Sequence, residues 1–237
     1  MSTGPATSRP VVAVTGLVKE ARIAAGPGVL AIAGGGSAAA LVAALERELA
    51  RGVGAVISFG IAGGLAEDVA SGTWIVARTI VTRAERWPCD AAWVRILAAR
   101  LPGARTADLA GIDAPVADPA AKRALRRATG AAAVDTESHI AAALAAAHGL
   151  PFAAFRVVAD SVRRSLPPAA SVAVAPDGTI SAGAVLGSLA RAPAQLPSLL
   201  RTAIDARTAF RALSRGRRLL GSGFAYPDLG ELLFDVS

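Results

Sequence analysis

Three short apolar runs, rich in β-branched residues, each stop on glycine, and this pattern narrows the fold more than any other feature. Val11-Val12-Ala13-Val14-Thr15 ends at Gly16, residues 29–33 end at Gly34-Gly35-Gly36, and residues 55–59 close on Gly60 and then Gly63-Gly64. Apolar runs of this length, bounded by turn residues, read as strands buried on both faces. Helical patterns lie between and after them. Ser37 caps a helix over 38–50 that carries Leu41, Leu45 and Leu49 on one stripe. A helix is expected over 91–101. Another is expected over 119–129, capped by Asp118, with Pro119 at the first helical position where its missing N–H costs nothing. Extended segments at 74–77 and 80–81, a strand at 131–134, a helix at 137–148 and a strand at 152–158 continue the series. Pro167-Pro168 and Pro176-Asp177-Gly178 punctuate a loop. Strands alternating with helices predict an α/β fold with a largely parallel, two-sided central sheet.

The tail breaks the alternation. Residues 197–220 place Leu199, Leu200, Ile204, Phe210 and Leu213 against Arg201, Arg207, Arg211, Arg215, Arg217 and Arg218. That is a basic amphipathic helix, and two placements follow: packing on the sheet or a partner subunit, or lying on an anionic membrane surface. The 237 residues are read as one domain: a core of about 11–193, this helix within 194–220, and a Gly/Pro-punctuated tail at 221–237.

Composition limits the setting. No window offers the ~20 uninterrupted apolar residues of a membrane span, although the mean hydropathy is +0.48. Residues 1–10 are polar, so no secretory signal is expected. Cys89 is the single cysteine and excludes an intrachain disulfide. A cytoplasmic location is therefore expected, with the inner membrane surface as the alternative. The formal charge is +7, with Lys19 and Lys122 the two lysines in an arginine-rich chain. Arginine in place of lysine fits a GC-rich genome, and an anionic ligand or surface is the sharper reading. Nucleic acid is not expected: aromatic residues make up 4% of the chain, with no RNP-type or zinc-finger spacing.

Glycine at the carboxyl ends of successive strands lets a ligand approach the backbone closely. Neither a Walker pattern nor the spacing of a dinucleotide fingerprint is met. Two acids stand at the ends of a helix–strand unit. Glu137 opens a helix, where the macrodipole favours a carboxylate, and Asp160 follows the apolar run 152–158. Arg156 interrupts that run and is a candidate buried partner for a carboxylate or a phosphate. His139 and His148 do not have metal-pair spacing and read as structural or surface residues.

These residues resemble a known superfamily. Gly60-Ile61-Ala62-Gly63-Gly64-Leu65, followed by Ser71-Gly72-Thr73-Trp74-Ile75-Val76-Ala77, is similar to the G-x-A-G-G-L…G-D-x-V-V signature of the nucleoside phosphorylases and nucleosidases. Val134-Asp135-Thr136-Glu137 resembles its V-(D/E)-M-E motif, and Phe155-Arg156-Val157-Val158-Ala159-Asp160 its V-R-x-(I/V)-S-D motif. Order and spacing agree over roughly residues 11–190. A narrower resemblance, to the hopanoid-associated phosphorylases, runs through Ser58-Phe59-Gly60, Glu137-Ser138-His139, Gly149-Leu150-Pro151-Phe152, Leu166-Pro167-Pro168-Ala169-Ala170 and Ala194-Gln195-Leu196-Pro197.

The resemblance implies a three-layer αβα fold with a twisted sheet and an extra C-terminal helix, a homo-oligomer, no metal and no resident cofactor. The implied reaction cleaves the N-ribosyl bond of a 5′-modified, lipid-linked adenosine, adenosylhopane, releasing adenine. A methylthioadenosine or adenosylhomocysteine nucleosidase, another purine nucleoside phosphorylase and an inactive purine-binding module are the alternatives.

Carried onto this sequence, Glu137 holds the ribose hydroxyls, with Thr136 where the family has Met packing on the sugar. Asp160 protonates adenine N7, with Ala159 where relatives have Ser. Ala62, Gly63 and Val116 line the base. Gly16, Ser58 and Ile61 mark the phosphate or water site. Glu20 resembles the carboxylate by which nucleosidases position water, which favours hydrolysis. Phosphate as co-substrate would need an arginine such as Arg22, Arg78, Arg83 or one from a neighbouring subunit.

Overall fold

A computed structural model describes residues 9–171, 173–175 and 177–227. The polar start up to residue 8, Pro176 of the expected turn and residues 228–237 of the expected tail lie outside these. The chain runs β1 (Val11–Thr15), α1 (Val18–Ala24), β2 (Val29–Ala33), α2 (Ala38–Ala50), β3 (Ala55–Gly64), β4 (Trp74–Val81), β5 (Arg86–Pro88) and α3 (Ala91–Arg100). It continues with β6 (Arg105–Gly111), α4 (Pro119–Thr129), β7 (Ala133–Asp135), α5 (Ser138–Ala147) and β8 (Phe152–Asp160). Short α6 (Pro168–Ser171), α7 (Ala182–Arg191) and the long α8 (Leu196–Leu220) follow.

All eight strands join one mixed sheet in the order β2-β1-β3-β7-β6-β4-β5, with β8 paired to both β3 and β4. The β1–β2, β1–β3, β3–β8, β4–β6 and β6–β7 pairs are parallel. The β3–β7, β4–β5 and β4–β8 pairs are antiparallel. Strands β3, β7, β6, β4 and β8 therefore close a ring, with β1 and β2 as an open flank. The expected strand at 55–59 extends to Gly64, which lets β3 pair with β8 along its length and with β7 at its end.

Helices cover both faces. On one, Leu41, Leu45 and Leu49 of α2 and Ala141, Ala142 and Ala145 of α5 pack on Val12, Val56, Ala154 and Val158. On the other, Trp93 and Leu97 of α3 and Ala209, Leu213 and Leu220 of α8 pack on Ile57, Phe59, Phe155 and Val157. The three-layer αβα expectation is met.

The C-terminal helix packs on the sheet, as the first of its two expected placements required. Gly216 permits a close approach: a Cβ there would lie 2.6 Å from Phe155 Cζ. The Trp74 indole N–H donates to Ala212 O at 2.9 Å, and Arg217 Nε donates to Ala24 O at 2.8 Å. The Arg217 guanidinium lies 4.4 Å from the centre of the Phe224 ring. Arg217, read from sequence with the polar face, thus belongs to the buried one.

Candidate active site

The carboxyl ends of β1, β3 and β8 and the start of α5 bring most of the candidate residues together. Glu20, on the first turn of α1, is buried beneath the β1–α1 turn. Its Oε2 accepts from Gly16 N at 2.9 Å and Leu17 N at 2.8 Å, and its Oε1 accepts from Ile61 N at 2.7 Å. A carboxylate has about four acceptor sites, so one on Oε1 remains after these three bonds. Burial pushes the Glu20 carboxyl up to about 7, with Glu137 adding repulsion, against the pull of Arg156 and the backbone N–H groups. Glu20 therefore exchanges a proton near neutral pH.

Arg156 is the centre of the cluster. It is fully buried in β8, and its Nη2 donates to Ser58 Oγ at 2.5 Å and to Glu137 Oε2 at 3.2 Å. Its Nε lies 2.6 Å from Asp135 Oδ2 but is not aligned for a hydrogen bond, so that contact is an ion pair. Burial alone would pull the guanidinium down, but Asp135, Glu137 and Glu20 together hold it above its usual range. Three carboxylates thus surround one cation. Gly60 makes room for this: a Cβ there would lie 2.6 Å from both Arg156 Nη1 and Glu20 Oε1.

Glu137 does not spend its side chain on capping α5. Asp135 Oδ1 does that work, accepting from Ser138 N at 2.9 Å and Glu137 N at 3.3 Å. The Glu137 carboxylate turns instead toward Gly16, where a Cβ would lie 2.8 Å from its Oε1. Thr136 donates its hydroxyl to that same oxygen. Burial raises the Glu137 carboxyl, and Arg156 opposes the rise.

Asp160 ends β8 where the strand carries one extra residue. Ala62 pairs with Val158 and Gly63 with Asp160, leaving Ala159 as a bulge. Bulges of this kind re-aim side chains at active sites. The Asp160 Oδ1 faces Gly63, 3.7 Å from where a Cβ would stand. Its Oδ2 is ion-paired to the ammonium of Lys122, which reaches in from α4. Lys122 is fully buried and also donates to Ser161 O at 3.2 Å and Arg164 O at 3.0 Å, so all three of its protons have acceptors. Burial raises the Asp160 carboxyl, and Lys122 works against it.

Some expected residues take other positions. Ser58 is fully buried, and its hydroxyl is engaged by Arg156 and, at 2.8 Å, by Ser138. Val116 is half-buried in the loop before α4, and this loop is tied by Leu166 N to Ala117 O at 3.0 Å to the segment after Asp160. Arg78 is paired with Asp108 at 3.4 Å, and Arg22 and Arg83 are exposed. Among the described residues none of the three reaches Glu20, Glu137 or Asp160, and no group of three or more His, Cys, Asp or Glu side chains is placed to hold a metal.

Sequence reading missed Lys122 and Asp135. Lys122 shares its helix with Arg123, Arg126 and Arg127 and looks like one more solvated cation. Its signal was its rarity, a lysine in a chain that otherwise uses arginine. Asp135 was visible as a motif letter without a role.

The profile of the Phosphorylase superfamily matches residues 2–191. The chain belongs to this superfamily. No curated protein matches it. Among solved structures it is similar to an S-adenosylhomocysteine nucleosidase from Streptococcus pyogenes in complex with 5-methylthiotubericidin. That match has 16% identity and a TM-score of 0.63, and covers 94% of this chain and 98% of the other. A 5′-methylthioadenosine/S-adenosylhomocysteine nucleosidase from Helicobacter pylori matches at 14% identity, TM-score 0.61, over 89% of this chain and 98% of the other. A futalosine hydrolase mutant from Helicobacter pylori matches at 15% identity, TM-score 0.55, over 65% of this chain and 91% of the other. At these identities the likeness establishes the fold.

Proposed function

We propose that the chain hydrolyses the N-ribosyl bond of a 5′-modified adenosine, with Glu20 positioning the water, Glu137 holding the ribose and Asp160 protonating the base. The observation that carries the choice of water is the Glu20 cradle. Three backbone N–H groups fix the carboxylate, one acceptor site on Oε1 stays open, and its protonation midpoint is about 7. A phosphate dianion in the same place would face Glu20, Glu137 and Asp135 with one guanidinium among them.

The bond breaks through an oxocarbenium-like state, as in glycoside hydrolysis. Adenine leaves poorly as an anion, so a proton delivered to N7 contributes roughly 10²–10⁴ in rate. Oδ1 of Asp160 is the oxygen free to deliver it, because Lys122 occupies Oδ2. The Glu137 carboxylate orients the ribose hydroxyls through charge-assisted bonds and favours the cation that develops on the ring. Glu20 and Glu137 meet at Gly16, with Glu20 also beside Gly60, and Asp160 faces Gly63, about 10 Å further along β3 at ~3.3 Å per residue.

Adenosylhopane is the proposed substrate, on the resemblance to the hopanoid-associated phosphorylases. The segment next to the site supports an apolar 5′ group. Val18 N donates to Gly178 O at 3.0 Å, which seats Gly178 on the β1–α1 turn, and the nearby Val174 and Ile180, which bridge to each other, are exposed. The likeness to methylthioadenosine/adenosylhomocysteine nucleosidases favours a soluble thioether nucleoside as the second reading. Adenine release from adenosylhopane, methylthioadenosine and adenosylhomocysteine, with and without phosphate, tests both. Free ribosyl product and no phosphate dependence are expected. A ribosyl 1-phosphate product would overturn the hydrolytic assignment.

A further inference from the structure

Helix α8 carries a second, unpartnered face. Its buried side is formed by Ala209, Leu213, Gly216 and Leu220. At 3.6 residues per turn, Leu196, Leu200, Ile204, Arg207, Arg211, Arg215 and Arg218 fall within an arc of roughly 100° on the opposite side, and all seven are exposed. The stripe is apolar in its first turns and cationic in its last. The helix has one acid, Asp205, which lies off this arc and is paired with Arg164 at 3.5 Å.

Lys19 of α1 joins the cationic half. It lines a groove of about 440 Å³ together with Arg207, Arg211, Arg215, Arg218 and Phe210. Its ammonium lies 4.0 Å from the Phe210 ring centre, and Arg215 lies 4.4 Å from that of Trp74. Among the described residues none of these five cations has a carboxylate partner. Their charge is thus turned outward.

We propose that this face of α8 docks the protein on an anionic lipid bilayer, with Leu196, Leu200 and Ile204 inserted at the headgroup boundary and the arginines and Lys19 on the phosphates. Charge complementarity selects this occupant. A second copy of the chain meeting the stripe through the same stripe would bring cations to cations and no acid to neutralise them. A bilayer supplies both requirements at once, a dense negative surface and an apolar layer a few ångströms beneath it. With its charges the helix lies on the membrane, and no described helix is long and apolar enough to cross one. The proposal stands on the exposed stripe alone and does not depend on the reaction.

The test is co-sedimentation of the full chain with unilamellar vesicles of phosphatidylcholine, with and without phosphatidylglycerol. Binding to the phosphatidylglycerol vesicles, weakened by salt and weak to phosphatidylcholine alone, is expected. Replacing two exposed cations in R207Q/R211Q should weaken partitioning roughly 30-fold. L200Q/I204Q should leave a residual binding that salt abolishes. Circular dichroism of the same samples should show an intact fold, because both pairs are exposed. Equal binding to neutral vesicles, unchanged binding by either double variant, or loss of a solution oligomer in L200Q/I204Q with no vesicle binding by the parent would each overturn the proposal.

Discussion

Replacing Lys122 by Met tests the link between fold and proposed acid most directly. Met nearly fills the space of the lysine stem but brings no charge. In K122M the Asp160 carboxylate keeps its burial and loses its counter-ion, and two carbonyls, of Ser161 and Arg164, lose their donor. Breaking one side of a buried pair costs about 3–5 kcal/mol. For a chain of this size that lowers the melting temperature by about 6–20 °C. The double variant K122M/D160N leaves no stranded charge, so its loss is confined to the two carbonyls, about 1–3 kcal/mol each. Urea unfolding should therefore show the double variant destabilised by less than the sum of the two singles, with a coupling of ~0.5–3 kcal/mol, the range for contacting residues. The pH dependence carries a second signature. An acid whose folded pKa stands above its unfolded value is penalised as pH rises through that window, so the K122M deficit should shrink toward acid pH. With Lys122 gone the pull that opposes burial disappears, and the alkaline limb of activity should move up. Additive losses together with an unmoved alkaline limb would refute the assignment of Lys122 to Asp160.

Other expectations follow from the same geometry. Glu20→Gln should cut kcat by roughly 10²–10⁴ and remove the rise in activity with pH centred near 7, while binding of a purine analogue, measured by calorimetry, persists. Gly16→Ala drives a Cβ to 2.8 Å from Glu137 Oε1. It should cost about 1–3 kcal/mol in unfolding experiments and, by displacing the carboxylate proposed to hold the ribose, roughly 100-fold in kcat/KM. Cys89 is buried, and burial pushes its thiol up to about 12. It should resist thiol reagents at pH 8 in the native state and react at once in urea.

How far the sequence could be read depended on whether an element declares itself locally. Helices α2, α4 and α8 lie within a residue of their expected bounds, because Ser37 and Asp118 cap two of them and leucine or arginine stripes mark their faces. Helix α1 is short, with no side-chain hydrogen bond from Leu17 at its cap, and β6, Arg-Thr-Ala-Asp-Leu-Ala-Gly, has one β-branched residue. Both owe their form to tertiary packing and neither was anticipated. Helix α7 carries Gly183 and Gly187, which mask it as a loop. In the candidate site Asp160 and Arg156 were legible because they end or interrupt an apolar strand, Glu137 because it opens a helix, and Glu20 through the family resemblance. The partners that set their charge were not. Lys122 lies 38 residues from Asp160 and Glu20 lies 41 from Ile61, and such separations leave no trace in local pattern.

The two departures inside the family motifs become intelligible once those long-range partners are known. Where the V-(D/E)-M-E pattern has Met, Thr136 gives up a packing surface but donates its hydroxyl to Glu137 Oε1. That bond steadies a buried carboxylate which Arg156 contacts through the other oxygen. Where the V-R-x-(I/V)-S-D pattern has Ser, Ala159 is the bulged residue and offers no hydroxyl to orient the acid. Lys122 orients it instead, from a different element and with a full charge. A hydroxyl and an ammonium are not equivalent supports. The ammonium works against the burial that raises the Asp160 carboxyl without cancelling it, so Oδ1 can still carry a proton. The proton on Oδ1 is then held against a stronger opposing field and is the more readily surrendered. The altered residues therefore change how the acid is tuned without removing it. That argues for an active enzyme rather than a purine-binding remnant, and for one whose alkaline limit is set by α4.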